Sequence, residues 1–154
     1  MASTLRTIGY ESASLEGFLA ALRRARVSLL IDIRAVAVSR RKGFSKTALA
    51  AALRDAGIGY LHLRDLGDPK PGREAARAGR MSEFRTIYNT HLRGAAAQAA
   101  LAEAARVVKH RAACLLCYEA EPAGCHRSIV AAEIARKTGL AIQHLYPDPP
   151  RAAA

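Results

Sequence analysis

The chain has 154 residues, of which 51% are hydrophobic and 24% charged, proportions that exclude a disordered or fibrous protein and suit one domain burying about two-thirds of its unfolded surface. No stretch approaches the roughly 18 consecutive apolar residues of a membrane span, so no membrane partner is expected. The net charge of +11 suits a polyanion such as nucleic acid or a phosphorylated ligand, but arginine outnumbers lysine 19 to 5 in an alanine-rich chain, which a GC-rich coding bias would also produce.

The start, MASTLRTIGY, has no apolar signal core, and a cytoplasmic location is expected. Three cysteines, an odd number, then read as thiols rather than as a disulfide framework.

In chain order, Leu5 to Tyr10 reads as a strand. Ser14 can cap a following helix in which Leu15, Phe18, Leu19 and Leu22 recur at helical spacing. Val27 to Arg34 is a β-branched and leucine run, as expected of a strand covered on both faces. A basic loop, AVAVSRRKGF, leads to Ser45, which can cap KTALAAALRDA, with Gly57 as the stop. Ile58 to Leu63 is a third strand. Residues Arg64 to Arg80 are rich in proline, glycine and charge, and read as a long loop or lid.

Ser82 can then cap a helix through Leu92, and an alanine-rich helix runs from about Ala95 to Lys109. Ala113 to Cys117 is a fourth strand and His126 to Lys137 a helix ended by Gly139. Leu140 to Tyr146 is a fifth strand, followed by an expected flexible tail from about Pro147. Strands and helices spread along the whole chain predict a single three-layer α/β domain with a mostly parallel, roughly five-stranded, Rossmann-like sheet.

In such sheets ligands collect outside the carboxyl ends of the strands. Those ends read Tyr10 and Glu11, Asp32 and Arg34, His62 and Arg64, Cys117 and Glu119, and His144 and Tyr146. All five carry functional groups. The densest segment is CYEAEPAGCHRS, Cys117 to Ser128. If a helix begins near Cys125, its free backbone N–H groups, its dipole, His126 and Arg127 form an anion site. The dipole and Arg127 would also favour the Cys125 thiolate, with Glu119 or Glu121 as acid, base or orienting carboxylate.

Each of these residues has a plainer role available. Arg127 could pair with Asp32 across the strand ends, Cys125 could simply cap a turn, and His62 and His144 could end their strands with satisfied side chains. The Asp32–Arg34 pair and the basic loop could bind a ribose and phosphates, or form a buried ion pair beside a solvated loop. No G-x-G-x-x-G and no phosphate-loop fingerprint is present, so no cofactor is assigned. Cys114 and Cys117 have zinc-knuckle spacing and Cys125–His126 lies nearby, so a Cys/His zinc site is conceivable, but residues three apart in a strand face opposite sides, and no metal is expected. A redox pair of Cys117 and Cys125 needs only a close approach of the two thiols.

The segments TIGYES, IDIRAVAVSRRKGF, YLHLRDLG and LLCYEAEPAGCHRS resemble, in order from Thr7 to Leu145, the bacterial and archaeal domain of unknown function family 488. The combination C-x-E-x-x-P-x-x-C-H-R is the specific part. Tyr10 departs from it, standing where many members have His. The resemblance implies a small cytoplasmic α/β domain with its features at Gly9, Asp32, Arg34, Ser39, Cys117, Glu119, Cys125, His126 and Arg127. It supplies no reaction.

The expectation is therefore an enzyme with an anionic substrate (phosphorylated, nucleotide or nucleic acid) in a cleft floored by the Cys117–Arg127 loop. Catalytic candidates are Glu119, Cys125 and Cys117, and binding candidates are Arg127, His126, Arg34, Asp32, Ser39, Tyr10 and His62. The alternatives are a non-catalytic nucleic-acid-binding module using the basic loops, and a thiol redox or sulfur-transfer protein using Cys117 and Cys125. Eight Phe and Tyr residues and no Trp offer little base stacking, which tells against a single-strand binder.

Overall fold

The computed structural model describes residues 3–148. Five parallel strands form one sheet: β1 (Thr4–Gly9), β2 (Leu29–Asp32), β3 (Gly59–His62), β4 (Ala113–Cys117) and β5 (Ala141–Leu145), in the order β3-β2-β4-β1-β5. Six helices connect and flank them: α1 (Leu15–Arg24), α2 (Lys46–Asp55), α3 (Lys70–Arg77), α4 (Met81–Leu92), α5 (Ala95–Val108) and α6 (His126–Thr138). The chain is thus an α/β protein, as the alternating pattern predicts.

Sheet order and helix placement follow from one rule. Parallel crossovers are right-handed, so reversing the direction of travel across the sheet moves the connecting helix to the other face. From β1 through β2 to β3 the chain moves one way, and α1 and α2 pack on one face through Phe18, Leu22, Leu49 and Leu53. From β3 to β4 and on to β5 it moves back, and α3 to α6 cover the opposite face through Ala75, Tyr88, Leu101 and Val130. Central strands buried on both sides split their side chains between the two cores: Leu29 and Ile31 enter one, Leu30 the other.

Local signals act as expected at several ends. Ser14 Oγ accepts from Gly17 N at 3.0 Å, and Gly139 closes α6 in the left-handed conformation at φ 76°. Ser45 stands at the start of α2, although its hydroxyl turns back to Ser39 rather than capping.

The segment 64–80 is not a long loop. It holds a short 3-10 turn at Arg64–Leu66 and then α3. Pro69 and Pro71 sit at the cap and first turn, where a helix needs no proline N–H, and Glu74 to Arg77 are good helix formers. Gly72 and Ala75 are buried, which ties the helix to the core. Of the tail, Pro147 and Asp148 run back along α1, where Asp148 meets Arg24 at 3.4 Å; the remainder lies outside the described residues.

Candidate active site

β4 is the switch point of this sheet. The chain leaves β4 toward α6 on one face, whereas it leaves its neighbours β1 and β2 toward α1 and α2 on the other. A crevice must open between those connections at the carboxyl end of β4, where Cys117 stands. A cavity of about 700 Å³ occupies it. Tyr10, Arg34, Ser39, Cys117, Glu119, Cys125 and His126 line it, so most of the site expected from the sequence comes together. Asp32, His62 and Arg127 are not among its lining residues.

Gly9 pairs in register with Cys117. It is glycine because the loop after β4 folds directly over it: a Cβ there would run into the Glu119 carbonyl and come within 2.7 Å of Arg127 Nη1. The loop closes through a 3-10 turn at Pro122–Gly124, and Cys125 becomes the N-cap of α6 in extended conformation. Its sulfur accepts from Arg127 N at 3.5 Å. Cys117 and Cys125 are joined sulfur to sulfur on the cavity floor, with Cα atoms 7.4 Å apart. Cys114 faces the opposite core and is a free, buried thiol, so the C-x-x-C spacing forms no knuckle.

Arg127 has a different place from the one expected. Its side chain is fully buried and does not line the cavity. Nε donates to Thr7 Oγ1 at 3.0 Å, Nη1 to Cys117 Sγ at 3.3 Å and to the Glu119 carbonyl, and Nη2 to the Ala120 carbonyl at 3.2 Å. It pins the loop from beneath and sets a positive charge against the Cys117 sulfur. It does not pair with Asp32.

Asp32 is taken by Arg34 instead, in a buried fork: Nε to Oδ1 at 2.9 Å and Nη2 to Oδ2 at 2.8 Å. Tyr60 adds its hydroxyl to Oδ2 at 2.6 Å. Burial works against the Arg34 charge, but Asp32 more than offsets it and the guanidinium stays ionised. Arg34 Nη1 then reaches Tyr10 Oη at 3.2 Å and the Phe44 carbonyl at 2.6 Å, fixing the basic loop. His62 Nε2 bonds the Arg34 carbonyl at 2.8 Å and His144 bonds Thr7 at 2.6 Å, both satisfied strand ends. Ser39 shapes its own turn, accepting from Arg41 N at 3.1 Å.

His126 is buried, and its Nε2 lies 2.8 Å from the Ile33 carbonyl. A carbonyl only accepts, so Nε2 carries the proton and Nδ1 is left with a lone pair, 3.7 Å from Cys125 Sγ. Burial lowers the imidazole to about 4, which keeps it neutral. Glu119 Oε2 lies 3.8 Å from Cys117 Sγ, and burial, with the nearby charge of Glu11, raises its carboxyl.

Arginines 40, 41, 73 and 77 line the cavity as well. Arg40 and Arg77 are exposed, and Arg41 and Arg73 half-buried. Among them stands Asp68, buried, with Oδ1 unpartnered and its carboxyl raised to about 7 by burial. Sequence reasoning missed Asp68, Arg73 and Arg77 because it treated their segment as a loop. The signal was the helix-forming run REAAR after a proline pair.

Fold and site together define a parallel α/β domain with a cysteine-bearing loop at its switch point. The family described as a domain of unknown function, DUF488, matches residues 14–134, and the chain belongs to it. No curated protein and no solved structure gives a significant match.

Proposed function

We propose that the protein is a thiol-dependent enzyme that carries out thiol–disulfide exchange with a small anionic thiol in the arginine-lined cavity. The observation that supports this most is the meeting of the Cys117 and Cys125 sulfurs on the cavity floor, with Arg127 behind one of them.

Disulfide exchange proceeds by attack of a thiolate on one sulfur and departure of the other. A substrate thiolate attacks Cys125 Sγ, forming a substrate–Cys125 disulfide and releasing the Cys117 thiolate. Arg127 Nη1, 3.3 Å away, stabilises that leaving charge. A second substrate thiolate attacks the substrate sulfur of the mixed disulfide and releases the Cys125 thiolate, which the backbone N–H of Arg127 receives at 3.5 Å. Two substrate thiols become one substrate disulfide, two electrons pass to the protein, and the two protons end on the cysteines. The arginines of the cavity wall outnumber its acids, Asp68 and Glu119, and draw the anionic substrate in, since a cleft with a surplus of one sign of charge concentrates the opposite sign.

Alkylation after controlled oxidation and reduction tests this reading. Cys117 and Cys125 are expected to become protected together by oxidation and released together by a low-molecular-mass thiol, with Cys114 unchanged. Independent oxidation of the two would refute it. Stabilisation of Cys117→Ser and wild type alike by duplex DNA or RNA, erased by salt, would move the function to the basic surface instead.

A further inference from the structure

The sulfurs of Cys117 and Cys125 have a third donor beside them. One donor atom each from Cys117, Cys125 and His126 lies within 4.8 Å of the others, and all three residues are buried. The imidazole is not turned to them by accident of packing alone. Its other nitrogen donates to the Ile33 carbonyl at 2.8 Å, which fixes both ring orientation and tautomer. A metal-binding histidine has this arrangement: one nitrogen tied to a carbonyl, the other free for the ion.

We infer that the reduced protein holds a thiophilic divalent cation of the zinc type through Cys117 Sγ, Cys125 Sγ and His126 Nδ1, with the fourth position open to the cavity. Zinc bonds sulfur at about 2.3 Å and nitrogen at about 2.0 Å, so in a tetrahedral site a sulfur and a nitrogen stand about 3.5 Å apart and two sulfurs about 3.8 Å. Cys125 Sγ and His126 Nδ1 are already at 3.7 Å. The two sulfurs must part, and Cα atoms 7.4 Å apart leave room for an ion between them. Glu119 Oε2, 3.8 Å from Cys117 Sγ, stands near the open position as a fourth ligand or as a partner for bound water.

Arg127 accommodates this. It costs some attraction by placing a positive charge beside the site, but its hydrogen bond to Cys117 Sγ suits the thiolate that forms when a metal displaces the proton. Two thiolates, a divalent cation and one guanidinium leave the centre with a net charge of about +1.

The inference goes beyond the thiol-exchange reading. Metal and disulfide are mutually exclusive occupants of the same sulfurs. Oxidation closes the metal site, and the bound cation shields the dithiol from exchange.

Cobalt(II) serves as the probe because its thiolate complexes show a charge-transfer band whose intensity follows the number of thiolates. Fully reduced protein is expected to bind one cobalt per chain with a two-thiolate band, and zinc is expected to displace it. Oxidised protein shows no band. His126→Gln keeps the two-thiolate band but binds at least about 10-fold more weakly, Cys125→Ser falls to a one-thiolate band, and Cys114→Ala matches wild type. Absence of a band in folded, reduced wild type would overturn the inference, as would a His126→Gln protein that binds equally well. A protein that cycles its disulfide but takes no cobalt loses this inference and keeps the exchange reading. One that binds cobalt but never forms the disulfide does the reverse.

Discussion

Arg127 stands behind Cys117, its Nη1 3.3 Å from the sulfur and its whole side chain out of solvent. An arginine in that position is costly to bury, and burial lowers its affinity for its proton. It is retained because it holds three parts of the site at once: Thr7 on β1, the cysteine at the end of β4, and the carbonyls of Glu119 and Ala120 in the loop. The chain therefore uses the arginine of its cysteine motif as scaffold and local field.

Replacing Arg127 with Lys keeps the charge but cannot reproduce the fork. Buried acceptors left unpaired cost about 1–3 kcal/mol each; the lysine ammonium can serve one of Thr7 and the half-buried Glu119 and Ala120 carbonyls, and the other two lose their donor. The expected result is a loss of about 2 kcal/mol or more in denaturant unfolding. A change below about 0.5 kcal/mol would show that the loop carries itself.

Asp32→Ala strands the Arg34 guanidinium without its carboxylate. Breaking a buried ion pair from one side costs about 3–5 kcal/mol. The basic loop anchored by the Arg34–Phe44 bond should also loosen, seen as faster amide exchange around residues 39–45. Unchanged exchange there would contradict the anchoring role.

Asp68 predicts a pH effect of definite sign. Burial raises its carboxyl in the folded state to about 7, from about 3.8 when unfolded. The folded state holds the proton more tightly, so stability from this group is full below pH 3.8 and is lost as pH rises toward 7. Asp68→Asn removes the titration. Its stability relative to wild type should climb from pH 4 to 7 and then level off, by about 4 kcal/mol at most. A flat difference curve would mean that the carboxyl is not desolvated.

Gly9→Ala places a methyl where the Glu119 carbonyl lies. The expected outcome is displacement of the loop, destabilisation of about 2 kcal/mol or more and loss of oxidative pairing between Cys117 and Cys125. Normal pairing in this variant would show that the loop closes without crossing β1.

Much of this was legible in the sequence. Leu29 to Ile33, apolar but for Asp32, and Ala113 to Cys117 are runs of strand length, and Ser14 and Gly139 mark helix ends by chemistry that acts locally, so architecture could be read residue by residue. The position of Cys117, Glu119, Cys125 and His126 around one cleft followed from their place after a strand. What could not be read was pairing at a distance. Asp32 sits two residues from Arg34 and far along the chain from Arg127, yet sequence spacing does not rank those partners; strand order does, and it separates Asp32 from Thr7 and Arg127 by placing β4 between β2 and β1. Asp68 was hidden for another reason. Prolines and glycines signal a break in one context and a helix start in another, and only the burial of Ala75 against the core decides between them.

The most direct test of the central claim is the rate at which thiols of different charge reduce the Cys117–Cys125 disulfide. Each rate is normalised to thiolate concentration and measured at low and high salt. 2-Mercaptoethanesulfonate is expected to outpace cationic cysteamine by about 10-fold or more at low salt, the advantage to shrink as salt screens the rim, and Arg73→Ala combined with Arg77→Ala to remove most of it. Equal rates for the two thiols at low salt, or a disulfide that neither reduces, would contradict the claim.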